Sequence, residues 1–263
     1  MGKNSKLSLV YLLLVFVFLY VPILCVVAYS FNASRSAAAW GGFTWDWYVA
    51  MTKDRRLMDA LWVSLQVGVC TAFLSAILGT LSAVAFGKLH KRLAAALNGL
   101  MYIPLIIPEI IMGVALLMFF ALIPHIQYGI ATLILSHMTF CVPYVFVLVS
   151  IRLRTIDPSI PEAARDLGAK GGQVFRTVTL PLILPSVISG GLLALAMSLD
   201  DVVISFFLSG PTSTTLPVKI YSMLKLGVTP EINALCTAML LVTFLVVGIL
   251  QIGNNLGARR KRQ

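Results

Sequence analysis

Six apolar runs, near residues 9–30, 61–86, 97–121, 129–150, 184–208 and 234–252, divide this chain of 263 residues. About 20 consecutive apolar residues span a ~30 Å hydrocarbon layer as a helix, and a buried soluble core accounts for one such run but not for six. No water reaches the hydrocarbon, so each run must satisfy its own backbone N–H and C=O groups, which makes each a helix. Composition agrees: 59% of residues are hydrophobic and 11% charged, against about 45–50% and about 25% in soluble domains. The expected fold is all-α and integral to a membrane, with about six transmembrane helices in a single domain, residues 1–263. The first run is longer than the core of a secretory signal, which reads as an uncleaved span.

The net charge of +10 belongs to topology. Lys and Arg stand in short clusters between the apolar runs, with no basic stripe interleaved with aromatics, which argues against a nucleic-acid partner. With the N-terminus inside, the inner segments carry Lys3, Lys6, Lys88, Lys91, Arg92, Arg152, Arg154, Arg165, Lys170, Arg176, Arg259, Arg260, Lys261 and Arg262, fourteen of the twenty Lys and Arg residues. An excess on one side orients a multispanning protein, so both termini are expected in the cytoplasm. Trp40, Trp45, Trp47 and Tyr48 in the outer stretch 31–60 suit the headgroup level. Cys25, Cys70, Cys141 and Cys236 lie far apart in apolar runs with no metal-ligand spacing, and read as small core residues.

The inner stretch 151–183, IRLRTIDPSIPEAARDLGAKGGQVFRTVTLPLI, carries legible helix punctuation. Ser159 and Glu162 have the spacing of a capping box with Pro161 in the first turn, predicting a helix from Ile160. Gly168 suits the left-handed residue that closes it near Leu167, and a second short helix is expected from about Gly172 to Thr179, before Pro181. Glu162-Ala163-Ala164, three residues, Gly168, nine residues, then Val178-Thr179-Leu180-Pro181 resembles the EAA loop of ABC-importer permeases, EAA-x3-G-x9-I-x-LP, with only Val178 departing from the pattern. The resemblance implies a type I (MetI-like) importer permease in the bacterial inner membrane. By that likeness Glu162, Ala163, Ala164, Gly168 and Pro181 form a loop, 151–183, that docks on a separate ATPase subunit. The chain has no GxxxxGK[ST] string, so ATP and Mg are expected on an ATPase dimer, with no cofactor or catalytic residue here. HExxH and GxSxG are absent too, which argues against an intramembrane enzyme.

Ionisable side chains inside spans are costly and face a cavity or a partner helix. Counted along unbroken helices, Glu109, His137, Asp200 and Asp201 fall in the outer half. Carboxylates there suit a cation, although tying helices together is the competing role, and adjacent Asp200 and Asp201 would point about 100° apart. His137 reads as a satisfied packing residue. Pro104 and Pro108 are expected to bend the third span just before Glu109.

The stretches SHMTFCVPYVFV (136–147), EAARDLGA (162–169), SLDDVVISFFLSGP (198–211) and LPVKIYSMLKLGVTPEINAL (216–235) resemble the C-type permeases of the spermidine/putrescine importer family. That likeness implies a polyamine path, a flexible polycation needing scattered carboxylates and aromatic or aliphatic walls. Asp200, Asp201 and Glu109 would supply charge, and Tyr144 and Phe206, with Tyr102, the walls. It also implies a second permease, a periplasmic polyamine-binding protein and the lipid bilayer as partners. Another small substrate (a cation, ferric ion or sulfate), a homodimeric path and an ion-coupled secondary transporter are the alternatives.

Overall fold

The computed structural model describes residues 3–35, 39–225, 227, 229–242 and 244. Twelve helices are described: α1 Lys3–Tyr29, α2 Asp46–Lys53, α3 Arg55–Phe86, α4 Lys91–Ile106, α5 Glu109–Ala121, α6 Ile130–Arg154, α7 Ser159–Asp166, α8 Gly171–Val174, α9 Leu180–Asp200, α10 Val203–Leu208, α11 Leu216–Leu224 and α12 Pro230–Val242. Among the described residues the β-type pairing is a single bridge, Asn32 to Phe43.

Four helical segments are long and apolar enough to cross a membrane: Ser8–Tyr29, Arg55–Phe86, Ile130–Arg154 and Gly171–Asp200. The run at 97–121 is not one kinked rod. Lys91–Ile106 and Glu109–Ala121 meet at 108°, because Pro108 has no N–H to continue the ladder and pushes Ile107 out of the helical region (ψ 133°). Depths counted along a continuous third span therefore do not hold for Glu109. The run at 184–208 is also interrupted: α9 ends at Asp200, and Asp201 is extended (ψ 123°) before α10. The expected last span, 234–252, is described only over 234–242 and 244, and Arg259 to Arg262 lie outside the described residues.

The chain divides into two compact units, Met1–Met58 with Ile220–Gln263, and Asp59–Lys219. In the first, the outer stretch folds on itself. Phe31 stacks on Phe43 at 5.1 Å and meets Trp45 edge-on at 4.8 Å. The Trp47 indole donates to the Asn32 carbonyl, while the Asn32 side chain accepts from Gly41 N–H and donates to the Ala39 carbonyl. These aromatics thus brace a short loop as well as presenting Trp40, Phe43 and Trp45 outward.

In the second unit, α6 is the central rod and α9 packs along it. Val145 of α6 is fully buried between two glycines. A Cβ on Gly79 would stand 2.7 Å from the Val145 Cβ, and one on Gly190 would stand 3.2 Å from its Cγ1. Small residues at such crossings let helices approach closely where lipid supplies no hydrophobic driving force. Cys141 is buried here as expected, whereas Cys25 and Cys70 are exposed on α1 and α3, so the reading of all four cysteines as core residues fails for those two. Exposed apolar helices are lipid- or partner-facing when the solvent is a bilayer.

Gly79→Val is expected to lower stability by about 2 kcal/mol through overpacking against Val145, whereas Gly99→Ala, whose added carbon meets nothing within 4 Å, is expected to be neutral. Thermal melts of the detergent-purified variants distinguish the two, and equal melting temperatures would contradict the tight crossing.

Candidate functional site

Two constructions stand out, an exposed elbow between α6 and α9 and a buried polar knot at the far end of α9. The elbow begins at Asp157. Its carboxylate accepts from the Ser159 N–H at 2.9 Å, so α7 starts at Ser159, and the expected Ser159–Glu162 capping box is replaced by an Asx-type start two residues earlier. Hydrogen bonds from the Ser159 backbone and side chain hold the Asp157 carboxyl below the usual carboxylate range. That support is present above the ordinary aspartate pKa and is lost as pH falls through the lowered one.

The far end of α7 is closed as expected. Gly168 has φ +86°, its N–H bonds to the Arg165 carbonyl at 2.8 Å, and the Ala169 N–H reaches back to Ala164 at 3.1 Å. Those two bonds are the Schellman pair, which needs a residue that tolerates positive φ. The second short helix does not stop before Pro181. A π-turn over Phe175–Thr179, with the Leu180 N–H bonded to the Phe175 carbonyl, joins α8 to α9, giving one helical segment from Gly171 to Asp200. The widened turn directly precedes Pro181, whose ring would crowd the carbonyl four residues back in a regular α-helix.

Glu162, Ala163, Gly168 and Pro181 are exposed, and Ala164 is half-buried. Leu167 is 90% exposed and Ile160 45%. On α7, Ile160, Ala163 and Leu167 share one face by helical spacing. An apolar face turned outward on a polar elbow suits a protein partner.

The knot joins α6, the end of α9 and α10. His137 has no exposed surface, and its Nδ1 lies 2.7 Å from the Ser198 Oγ. Its Nε2 lies 3.1 Å from the Ser205 Oγ and 3.3 Å from Asp201 Oδ2. An ionised carboxylate only accepts, so Nε2 carries a hydrogen toward Asp201 and Ser205, and in the neutral imidazole Nδ1 then accepts from Ser198. Asp201 is 8% exposed and also starts α10, its Oδ1 accepting from Ile204 N–H at 3.2 Å and its Oδ2 from Ser205 N–H at 2.7 Å. The expected view of Asp200 and Asp201 as neighbours 100° apart on one helix is therefore corrected: only Asp200 is helical. Asp200 is exposed, while Asp201 is occupied within the protein.

Of the other expected path residues, Glu109 is exposed in the first turn of α5, Tyr144 is half-buried on α6, and Phe206 is 54% exposed on α10. Helix α10 packs along α5, with Phe207 filling the space beside Gly113, and Thr139 of α6 reaches the Met112 sulfur of α5 at 3.3 Å. Helix α10 thus packs on both α5 and α6, and α9 packs on α6, with Glu109 on α5, Tyr144 on α6, Asp200 at the end of α9 and Phe206 on α10. Ser198 and Ser205 were not singled out from sequence. The signal was present as Ser198, Asp201 and Ser205 at helix-start spacing, but reading 184–208 as one span hides it.

Asp201→Ala leaves two N–H groups and a buried imidazole without their acceptor, and is expected to cost about 3 kcal/mol. Asp201→Asn, which retains one acceptor oxygen, should lose less, and Asp200→Asn almost nothing. Melting temperatures in that order support the knot; Asp201→Ala and Asp200→Ala melting alike would refute it.

The family model described as the binding-protein-dependent transport system inner membrane component matches residues 75–262. The putrescine transport system permease protein PotI of Escherichia coli (strain K12) is 45% identical over 90% of this chain and 86% of its own length. The spermidine/putrescine transport system permease protein PotC of Haemophilus influenzae is 40% identical over 92% of this chain and 94% of its own. A chain in the crystal structure of a bacterial ABC transporter involved in alginate import superposes with a TM-score of 0.79 at 17% identity, covering 97% of this chain and 95% of that one. A chain of the MetNI methionine ABC transporter superposes at 0.58 with 19% identity, covering 75% and 95%. The fold is that of the MetI-like importer permeases, and the chain belongs to the family of binding-protein-dependent transport system inner membrane components.

Proposed function

We propose that this chain is a membrane-spanning subunit of an ATP-driven importer that carries polyamines into the cytoplasm. The observation that carries the substrate class is the 40–45% identity over about nine tenths of the chain to permeases named for putrescine and for spermidine/putrescine. Exposed Asp200 and Glu109, each beside a helix break, fit a polycation that needs scattered carboxylates rather than one tight site. Tyr144 and Phe206 would line the same path. Asp201 would act instead as a positioning residue, holding α10 and Phe206 in place through its backbone hydrogen bonds.

The elbow is the part that would meet the motor. Ile160, Ala163 and Leu167 present its apolar face, Glu162 borders that face, and Gly168 sets the bend. ATP and Mg would be bound by an ATPase dimer, since this chain has no phosphate-cradling loop. A second permease would complete the path, and a periplasmic binding protein would deliver substrate. Both termini and the elbow would face the cytoplasm, a reading supported by the distribution of Lys and Arg.

Uptake of labelled putrescine and spermidine by cells lacking this gene, complemented with wild type or variants at equal membrane abundance, tests the reading. Asp200→Asn with Glu109→Gln is expected to reduce uptake about tenfold, and restoration of neither polyamine by wild type, with its partners expressed, would remove that substrate class. Gly168→Asp should insert normally, retain ATP hydrolysis and lose transport. Loss of expression with the residual transport still coupled would count against the elbow's role.

A further inference from the structure

A cavity of about 580 Å³ lies at the opposite end of the second unit from the knot. Its walls are the last turn of α3, the first turns of α4, the last turn of α6 and the inner side of the elbow. Four cationic residues converge on it, Lys88, Lys91, Arg154 and Arg165, and no carboxylate lines it. Among the described residues, none of the four has a carboxylate within ion-pair distance. Nearby Arg152 is differently employed, donating to the Leu182 carbonyl. The preference for positive charge on the inner side explains why such residues occur at this level. It does not explain their convergence on one concavity with an apolar floor of Val84, Phe86, Leu153, Val174 and Phe175.

We propose that this cavity binds the headgroup of an anionic phospholipid of the inner leaflet. The phosphate would meet the four cations, with arginine offering a paired-donor fork. The upper carbons of the acyl chains would lie on the apolar floor. A phospholipid is the anion that carries both parts, and it is already present where membrane helices end; basic pockets between such helices on the cytoplasmic side have the chemistry to hold acidic headgroups. A soluble phosphate would use the cations and leave the floor empty. An acidic segment of the motor fits less well, because the elbow has two sides. Pro161 and Arg165, one turn apart, face the cavity, whereas the outward apolar residues Ile160, Ala163 and Leu167 lie on the opposite side of α7. A lipid held by Arg165 and by Lys88 and Lys91 would brace the elbow against the α3–α4 turn. The inference rests on the cytoplasmic orientation proposed above.

The test uses the full chain in detergent, titrated with phosphatidylglycerol or with phosphatidylcholine of the same acyl chains, with retained lipid read by native mass spectrometry. Selective retention of one phosphatidylglycerol is expected. Lys88→Gln/Lys91→Gln/Arg165→Gln should weaken it by about fivefold per charge removed, while Lys88→Arg/Lys91→Arg/Arg165→Lys should keep it, which separates lost charge from lost fold. Equal retention of the two lipids, or displacement by inorganic phosphate at matched concentration, would overturn the proposal. Unchanged lipid retention in the glutamine variant, with loss of a co-purifying ATPase, would assign the cavity to the motor instead. Orientation is checked separately: with the native cysteines replaced, Gly87→Cys should resist a membrane-impermeant maleimide in intact cells, and labelling there would sink the topology while leaving the lipid measurement interpretable.

Discussion

Every backbone N–H and C=O at membrane depth needs a partner inside the protein, and the architecture of this chain follows from where that rule is obeyed by regular helix and where it is not. At Ile107–Pro108 the ladder is interrupted by a residue that has no N–H to satisfy, and α5 restarts at once on the Pro108 carbonyl, which accepts from Ile111 and Met112. At Asp201–Val202 there is no proline. The interruption survives because a side chain substitutes for the missing turn: the Asp201 carboxylate accepts the N–H groups of Ile204 and Ser205. A carboxylate in that position is costly to bury, and His137, itself satisfied by Ser198 and Ser205, offsets the cost. The knot is thus the condition for having a break in the helix at all.

The two breaks have a common result. Each ends a long helix, Lys91–Ile106 or Leu180–Asp200, and begins a shorter one, α5 or α10, and the two short helices pack on each other. Discontinuous helices are how transporters free polar groups for a cargo without exposing an open backbone to lipid. Here Glu109 and Asp200 stand beside the two interruptions, both exposed, which a regular bundle of six straight rods would not arrange.

How far the sequence could be read depended on the range of the interaction involved. Local punctuation was legible. Gly168 closes α7 by a pair of hydrogen bonds spanning six residues, and the position of the bend before Glu109 follows from Pro108 alone. Hydropathy located the runs that form the four spanning helices and the bent pair but was blind to the break at Asp201, because Val202 to Leu208 is as apolar as the helix before it. What distinguishes the two is a hydrogen-bond network reaching 61 and 68 residues along the chain, from His137 to Ser198 and Ser205. The α7 start was misassigned for a smaller reason: Ser159 and Asp157 are both competent acceptors two positions apart, and the carboxylate is the stronger one. The size of the bend at Pro108 depends on what α5 packs against, and the convergence of four cations at the elbow depends on three helix ends meeting, so neither had a local signature.

The π-turn at Phe175–Thr179 gives these features their mechanical relation. Had Pro181 ended the second elbow helix, the elbow would have been a separate piece hinged to the membrane part. Instead the segment from Gly171 to Asp200 is continuous, a rod of roughly 45 Å at 1.5 Å per residue. One end carries the elbow's bend and the cation-lined cavity, and the other ends at the knot, where Asp200 is exposed and Asp201 holds α10. An α-helix resists bending over such a length except at interruptions, and this one has two, the π-turn, whose backbone hydrogen bonding continues, and Pro185, which removes one bond from the ladder of α9. Repositioning one end independently of the other requires opening that turn, bending at Pro185, or sliding α9 along α6 past the close contact between Gly190 and Val145. That contact, small on one side and β-branched on the other, holds α9 close against α6, so the rod that joins the elbow to the break beside Asp200 is seated by close packing along its length.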